Sequence, residues 1–201
     1  MIYDALIIGG GASGLSCALV LGSAKHKAYA STKSIAIITH QKASHLQNAV
    51  FNNALGLAPG TTGTSILEDG KTQLSTLYPH VEQIDNEKAS QITKTKNGYQ
   101  VITNKGTYTS KIIVIAVGYT NLLTIAGLEA YVAPHPRAAE AKNRIWLKNN
   151  DHLIENGLYV TGTLAGWRSQ FAIAAGSGAQ VATDILTLWN DNNQSHVHDK
   201  I

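Results

Sequence analysis

The sequence predicts a three-layer α/β fold: a central parallel sheet, helices packed on it, and an antiparallel β-meander. Three observations carry that expectation. Ala5 to Ile8 is a short apolar run ending in Gly9-Gly10-Gly11-Ala12-Ser13-Gly14, and a helical stretch follows. Strand, glycine-rich turn and helix in that order open a βαβ unit. The runs at 35–38 and 111–118 are continuously apolar and rich in β-branched residues, as suits parallel strands covered on both faces. Between them lie short alternating runs punctuated by Asn97-Gly98 and Lys105-Gly106, the turn signals of a meander.

In chain order, the first helix runs over Leu15 to Leu21 and closes at Gly22. A polar loop with Lys25, Lys27 and Lys33 leads to the second strand, Ile35 to Ile38. Residues 40–64 read as an irregular excursion rich in Asn and Gly, including Asn48, Asn52, Asn53 and Leu57-Ala58-Pro59-Gly60. A loop of that length in a compact domain is either functional or disordered. A helix over 63–78 and a third strand, Val81 to Ile84, come next. Three meander runs follow at 91–95, 99–103 and 107–110, then a separate strand from Lys111 to Gly118. Residues 121–157, with Pro134 and Pro136, hold only short elements. Gly157 to Gly162 reads as a last buried strand, and a final helix spans Gln170 to Trp189, its first half rich in Ala and Gly. With no repeat and no linker, residues 1–190 form one domain and 191–201 a polar, frayed tail.

Composition narrows the function. The 201 residues carry 16 Lys+Arg against 13 Asp+Glu, a net charge of +3. Only Arg137, Arg144 and Arg168 are arginines, and no basic stripe appears, so a nucleic-acid partner is not expected. The single cysteine, Cys17, permits no intrachain disulfide, no CxxC pair and no thiolate zinc site, and reads as a small buried apolar residue. The eight histidines show no ligand spacing; His196 and His198 sit in the polar tail, so no metal site is expected. The acidic start at Asp4 and the lack of a run near the roughly 20 apolar residues of a membrane span point to a cytoplasmic protein without a membrane partner.

The glycine loop carries the chemistry. Gly9 permits a tight turn, Gly11 lets a pyrophosphate approach the backbone, and Gly14 lets the helix pack on the strand. This is a dinucleotide-binding opening of Rossmann type, for FAD or NAD(P). The carboxylate expected for ribose at the end of the second strand is replaced by Thr39 or His40. A threonine hydroxyl still bonds ribose, whereas His40 and Lys42 would favour a phosphorylated one, as in NADP.

The chain resembles the thioredoxin-reductase-like flavoproteins among the pyridine nucleotide–disulfide oxidoreductases. Tyr3-Asp4-Ala5-Leu6-Ile7-Ile8-Gly9-Gly10-Gly11 is similar to their opening, and Asn48-Ala49 with Asn53-Ala54-Leu55-Gly56 to their flavin-proximal loop. Ile112 to Gly118 resembles their apolar Ala-Thr-Gly segment with Val117 for the threonine, and Gly127-Leu128-Glu129 fits the residues that come next in the family. Gly157-Leu158-Tyr159-Val160-Thr161-Gly162-Thr163 with Gln170 to Gly178 resembles the closing strand and helix. The likeness runs from residue 3 to 188 in the family's order.

The resemblance implies FAD as cofactor. Gly9, Gly11, Ala12, Ser13 and Gly14 would cradle its pyrophosphate, Thr39 and His40 its adenosine ribose, and the Val81 backbone its adenine. Ala116 and Gly118 would line its middle, and Gly162 and Thr163 its ribityl chain and phosphate. Asn53, Gln170, Phe171 and Ala172 would approach the isoalloxazine ring. Thr39 and Thr163 stand where the family has carboxylates, so two charge-assisted hydrogen bonds become neutral.

The family also implies a second, NADPH-binding domain between Gly118 and Gly162, where there is far too little chain for its roughly 100 residues and no second GxGxxG. The family's cysteine pair is absent too. The expected function is therefore an FAD-dependent oxidoreductase fed by NAD(P)H or an electron-donor protein, with no thiol–disulfide step. A non-catalytic flavin-binding module and an NAD(P)-binding protein without flavin are the alternatives. No catalytic residue is singled out. Trp167 and Arg168, and less strongly His135 and Arg137, are candidates for flavin or substrate contact. A homodimer would cover apolar surface left by the missing domain.

Overall fold

Successive residues of a strand face opposite sides, and the first strand is apolar on both. In β1 (Ile2–Ile8), Ala5 and Ile7 point into one core while Leu6 and Ile8 point into another. This computed structural model describes residues 2–40, 44–118 and 124–198. The first core is filled by three helices: α1 (Ala12–Ser23), α2 (Gly63–Leu77) and α3 (Phe171–Trp189). Leu15, Ala18 and Leu21 of α1, Leu67 and Leu74 of α2, and Val181, Ile185 and Leu186 of α3 meet there.

The second core lies on the opposite face, under the meander β6 (Ala89–Thr95) and β7 (Gly98–Thr103) and the hairpin β9 (Val132–Pro134) and β10 (Ile145–Leu147). Ile92, Tyr99, Val101, Leu128 and Leu147 close it. The result is the three-layer α/β architecture expected from the sequence, with a parallel sheet in the middle.

That sheet contains β1, β2 (Ile35–Thr39), β5 (Val81–Asp85), β8 (Thr107–Ile115), β11 (Leu153–Glu155) and β12 (Leu158–Val160), in the order β11-β12-β8-β1-β2-β5. All neighbours are parallel except β11, which pairs antiparallel with β12 at the edge.

The structure differs from the sequence expectation in several places. The meander run at 107–110 and the strand at 111–118 are one strand, β8, ending at Ile115. Its first half pairs with β7 and its last three residues with β12, while β1 runs along the other edge. The change from alternating to continuous apolar pattern thus marks a change of neighbour, not a break. The excursion contains a small hairpin, β3 (Val50–Phe51) with β4 (Thr61–Thr62). Asn52 Oδ1 accepts the Gly60 N–H at 2.8 Å across it, and Thr62 caps α2 by accepting the Ser65 N–H at 3.2 Å.

Toward the chain's end, Ser195 is buried and Val197 packs on the helical core, so the described part of the tail is docked at these two residues rather than frayed. α3 is also long and apolar enough to cross a membrane by length and composition, unlike any run singled out in the sequence. Its face of Ser177, Gly178, Val181, Ala182, Ile185 and Leu186 is buried in the helical layer.

These two cores set a stability contrast. Leu6→Ala, in a fully buried side chain, is expected to cost about 2–5 kcal/mol in urea unfolding. Lys94→Ala removes the 2.7 Å pair with Glu155 on an ammonium 59% exposed, and is expected to change stability by less than about 1 kcal/mol.

Candidate functional site

From β1 the chain travels outward one way through β2 to β5, then returns to build β8 and β12 on the other side. Such a reversal leaves a crevice beyond the carboxyl ends of the strands on either side of it. Here those ends are Gly9, after β1, and Ala116 to Gly118, after β8, and a cleft of about 710 Å³ opens between them. That volume is within the range of small-molecule and cofactor sites.

The floor of the cleft is the glycine loop. Gly9 holds φ +118°, its N–H donating to the Ile38 carbonyl at 2.9 Å, while the Ala116 N–H donates to the Ile8 carbonyl at 2.8 Å. A side chain on Gly14 would collide with the Gly9 carbonyl, so helix and strand are pressed together. A Cβ on Gly11 would instead meet nothing within 4 Å. Gly11 is also the N-cap of α1, which has no side-chain cap and no acidic residue in its first turn. The unpaired N–H groups and positive end of the helix dipole are therefore left for a ligand. These features fit a bound pyrophosphate.

The structure brings most of the sequence candidates together. Gly9, Gly11, Ala12, Ser13, His40, Asn53, Ala116, Gly118, Gly162, Thr163, Gln170 and Phe171 all line the cleft. Four others do not. Gly14 serves the helix–strand contact behind the loop. Thr39 is buried and turns its hydroxyl to the Asp85 carboxylate on the neighbouring strand, so the cleft side of β2 is left to Ile38 and His40. Val81 begins β5, paired with Ile35 at the amino end of the sheet, the wrong end for a cofactor. The cleft end of that connection is Glu87, Lys88 and Ala89. Ala172 gives its N–H to Gln170 Oε1 at 3.0 Å, making Gln170 the cap of α3.

Sequence reasoning missed a group of wall residues. Ser44, His45, Leu46 and Phe51 come from the excursion, whose length was the available signal, and they join Ala49 of the Asn48-Ala49 motif there. Phe51 lies against Phe171 with ring centroids 5.2 Å apart, joining the excursion to the start of α3. Thr124, Ile125 and Ser169 also line it and no motif marked them, while Ala174 belongs to the Gln170–Gly178 motif. Glu87 is nearly buried: its carboxylate accepts Thr103 Oγ1 at 2.6 Å and the Tyr108 hydroxyl at 3.0 Å. At the edge of the sheet, burial pushes the Asp85 carboxyl up. The Lys71 ammonium at 2.7 Å and the Thr39 hydroxyl more than offset that, leaving it below its ordinary value.

The remaining candidates lie elsewhere. Trp167 stacks on His152, with centroids 5.4 Å apart, and neither it nor Arg168 lines the cleft. His135 and Arg137 are behind the cleft wall and bond its backbone, not its interior. Cys17 is fully buried in α1, and burial pushes its thiol up. Lys42 lies outside the described residues. Among the described residues no group of three His, Cys, Asp or Glu is placed to hold a metal.

A parallel sheet with a bare helix end and a glycine loop at its switch point defines a dinucleotide-binding α/β protein. The sequence matches the profile of the family described as pyridine nucleotide-disulphide oxidoreductase over residues 3–166, and the chain belongs to that family. Its fold is similar to a thioredoxin reductase from Gloeobacter violaceus, with a TM-score of 0.75 and 13% identity, covering 99% of this chain and 98% of that one. It is also similar to an oxidoreductase from Agrobacterium tumefaciens, with a TM-score of 0.71, 14% identity and coverage of 96% and 100%. A ferredoxin-flavin thioredoxin reductase from Clostridium acetobutylicum gives a TM-score of 0.67 at 16% identity, covering 94% and 98%. No curated protein matches the sequence.

The site's framework sets two testable outcomes. Gly11→Ala is expected to unfold within about 1 kcal/mol of the wild type, because its backbone is ordinary and its Cβ meets open space. Gly14→Ala must displace the Gly9 carbonyl and is expected to lose clearly more in the same urea titration. The second outcome concerns pH. Burial holds the His152 imidazole below its ordinary 6.5, only partly countered by Asp151. The unfolded chain then binds the proton better, so stability falls as pH drops below about 6.5. His152→Gln removes its share of that slope between pH 8 and 5, leaving that of His45 and His80, which are also held low. An unchanged slope in the variant would rule this out.

Proposed function

We propose that this chain is an FAD-binding oxidoreductase whose flavin occupies the switch-point cleft. The observation that carries the reading is the uncapped amino end of α1 facing that cleft across Gly9 to Ser13. Ala12 and Ser13 would bond the pyrophosphate through their backbone, His40 would lie at the adenosine ribose, and Lys88 and Ala89 would border adenine. Gly118, Gly162 and Thr163 would border the ribityl chain, and Asn53, Gln170 and Phe171 the ring end. When bound, the flavin supplies the hydride and electron chemistry, and the protein orients it and excludes water.

The electron source in this reading is external, NAD(P)H or a partner protein. A thiol–disulfide route is not used, since the one cysteine is fully buried in α1. The ferredoxin-flavin thioredoxin reductase of Clostridium acetobutylicum gives a precedent in name for a protein donor on this fold.

FAD added to the ligand-free protein is expected to bind with quenched or shifted flavin fluorescence and to raise the unfolding temperature. Gly11→Ala should remain folded yet lose at least about tenfold in affinity, because its Cβ occupies the phosphate floor. Wild-type protein that neither binds nor is stabilised by FAD would refute the proposal. NADH or NADPH bleaching the bound flavin, tested without and with candidate donors, separates the two electron sources.

A further inference from the structure

The cleft wall at Gly162–Ala165 is a single turn of 3₁₀ helix, too short to hold its own shape. Gly162 sits at φ +72° and Gly166, just after it, at φ +90°. None of residues 132–152 lines the cleft, yet three of their polar side chains bond this turn and a fourth, His152, bonds the Ser177 that holds it.

His135 Nε2 meets the Thr163 carbonyl at 2.9 Å, and the Arg137 guanidinium donates to the Gly166 carbonyl. Asn149 Nδ2 donates to the Ala165 carbonyl at 3.1 Å, while its Oδ1 accepts the His152 N–H at 2.9 Å. His152 Nε2 reaches Ser177 Oγ at 2.8 Å, and Ser177 Oγ accepts the Gly162 N–H at 2.8 Å. The turn is thus gripped at Gly162, Thr163, Ala165 and Gly166.

The tautomer of His135 is set by its partners. Its Nδ1 accepts the Arg137 N–H at 3.1 Å, so the ring proton is on Nε2 and is donated to Thr163. The order Asp151–His152–Ser177 has the look of a hydrolytic relay. Ser177 is 5% exposed, however, and its oxygen already accepts a backbone N–H and contacts Thr161 Oγ1 at 2.8 Å. It is a brace on the backbone, not a nucleophile.

We infer that residues 132–152 form a clamp that presets the Gly162–Gly166 turn for the cofactor, with His135, Arg137, Asn149 and His152 as its positioning residues. This rests on the FAD reading for the identity of the ligand that the turn receives, but not for the clamp itself.

The test compares His135→Phe, which removes the donor, with His135→Gln, which restores one. FAD titration by flavin fluorescence is expected to show about tenfold or greater weakening in the first and less than about threefold in the second. Amide hydrogen exchange on the ligand-free proteins is the second readout. The Gly162 and Gly166 amides should exchange faster in His135→Phe, with α1 amides unchanged and protection regained in His135→Gln.

If wild type binds no FAD, the flavin reading fails and the exchange pattern alone decides the clamp. Unchanged exchange at Gly162 and Gly166, or equal FAD affinity in His135→Phe and wild type, would overturn it. Should His135→Phe not fold, Arg137→Ala takes its place in both measurements with the same criteria, since Arg137 is solvent-exposed.

Discussion

The contact between the amino end of α1 and the carboxyl end of β1 is the constraint on which the rest depends. Because Gly14 lies on the Gly9 carbonyl, the helix starts at Ala12, directly over the strand end, and its first N–H groups have nowhere to go but the cleft. Buried donors without partners are costly, so this end must stay at solvent or meet an anion. The same contact fixes α1 on the sheet, and α3 packs against α1 in turn. An insertion or side chain at Gly14 would disturb the loop, the helical layer and the cleft together.

The layering arises because β1 is apolar on both faces and central in the sheet. Its parallel neighbours β2 and β8 force a crossover on one side, which α1 provides. β8 then does two jobs along its length. Its first half anchors the meander and its second half accepts β12, so the second core and the closing strand share one ribbon. This arrangement brings the Gly162 turn next to Ser13, although the sequence separates them widely.

Much of this was legible in the sequence because the signals are local. A strand, glycine turn and helix at residues 5–21, and the apolar runs at 35–38 and 112–115, define the parallel core by period and turn chemistry. The cleft's floor was readable for the same reason. Its walls were not. Phe51, Glu87 and Ile125 reach the cleft through long-range packing of loops without a period or motif. The place of Thr39 was hidden because it depends on Asp85, a register partner on β5. That of Val81 was hidden because contact with the cleft depends on which end of a strand faces it, and topology sets that. The roles of His135 and Arg137 were invisible because they act on backbone atoms of a distant turn.

The electrostatics of the cleft favour an anion at its floor. Thr163 lines the wall as a neutral residue, while the Thr39 hydroxyl is turned away to Asp85 on the neighbouring strand. Among the described residues of the lining, Glu87 is the one acid, and its oxygens are held by Thr103 and Tyr108. Lys88 and the bare end of α1 then face the cleft with little to oppose them. On the proposed FAD such a floor would act through the phosphates, and binding there would weaken as salt rises.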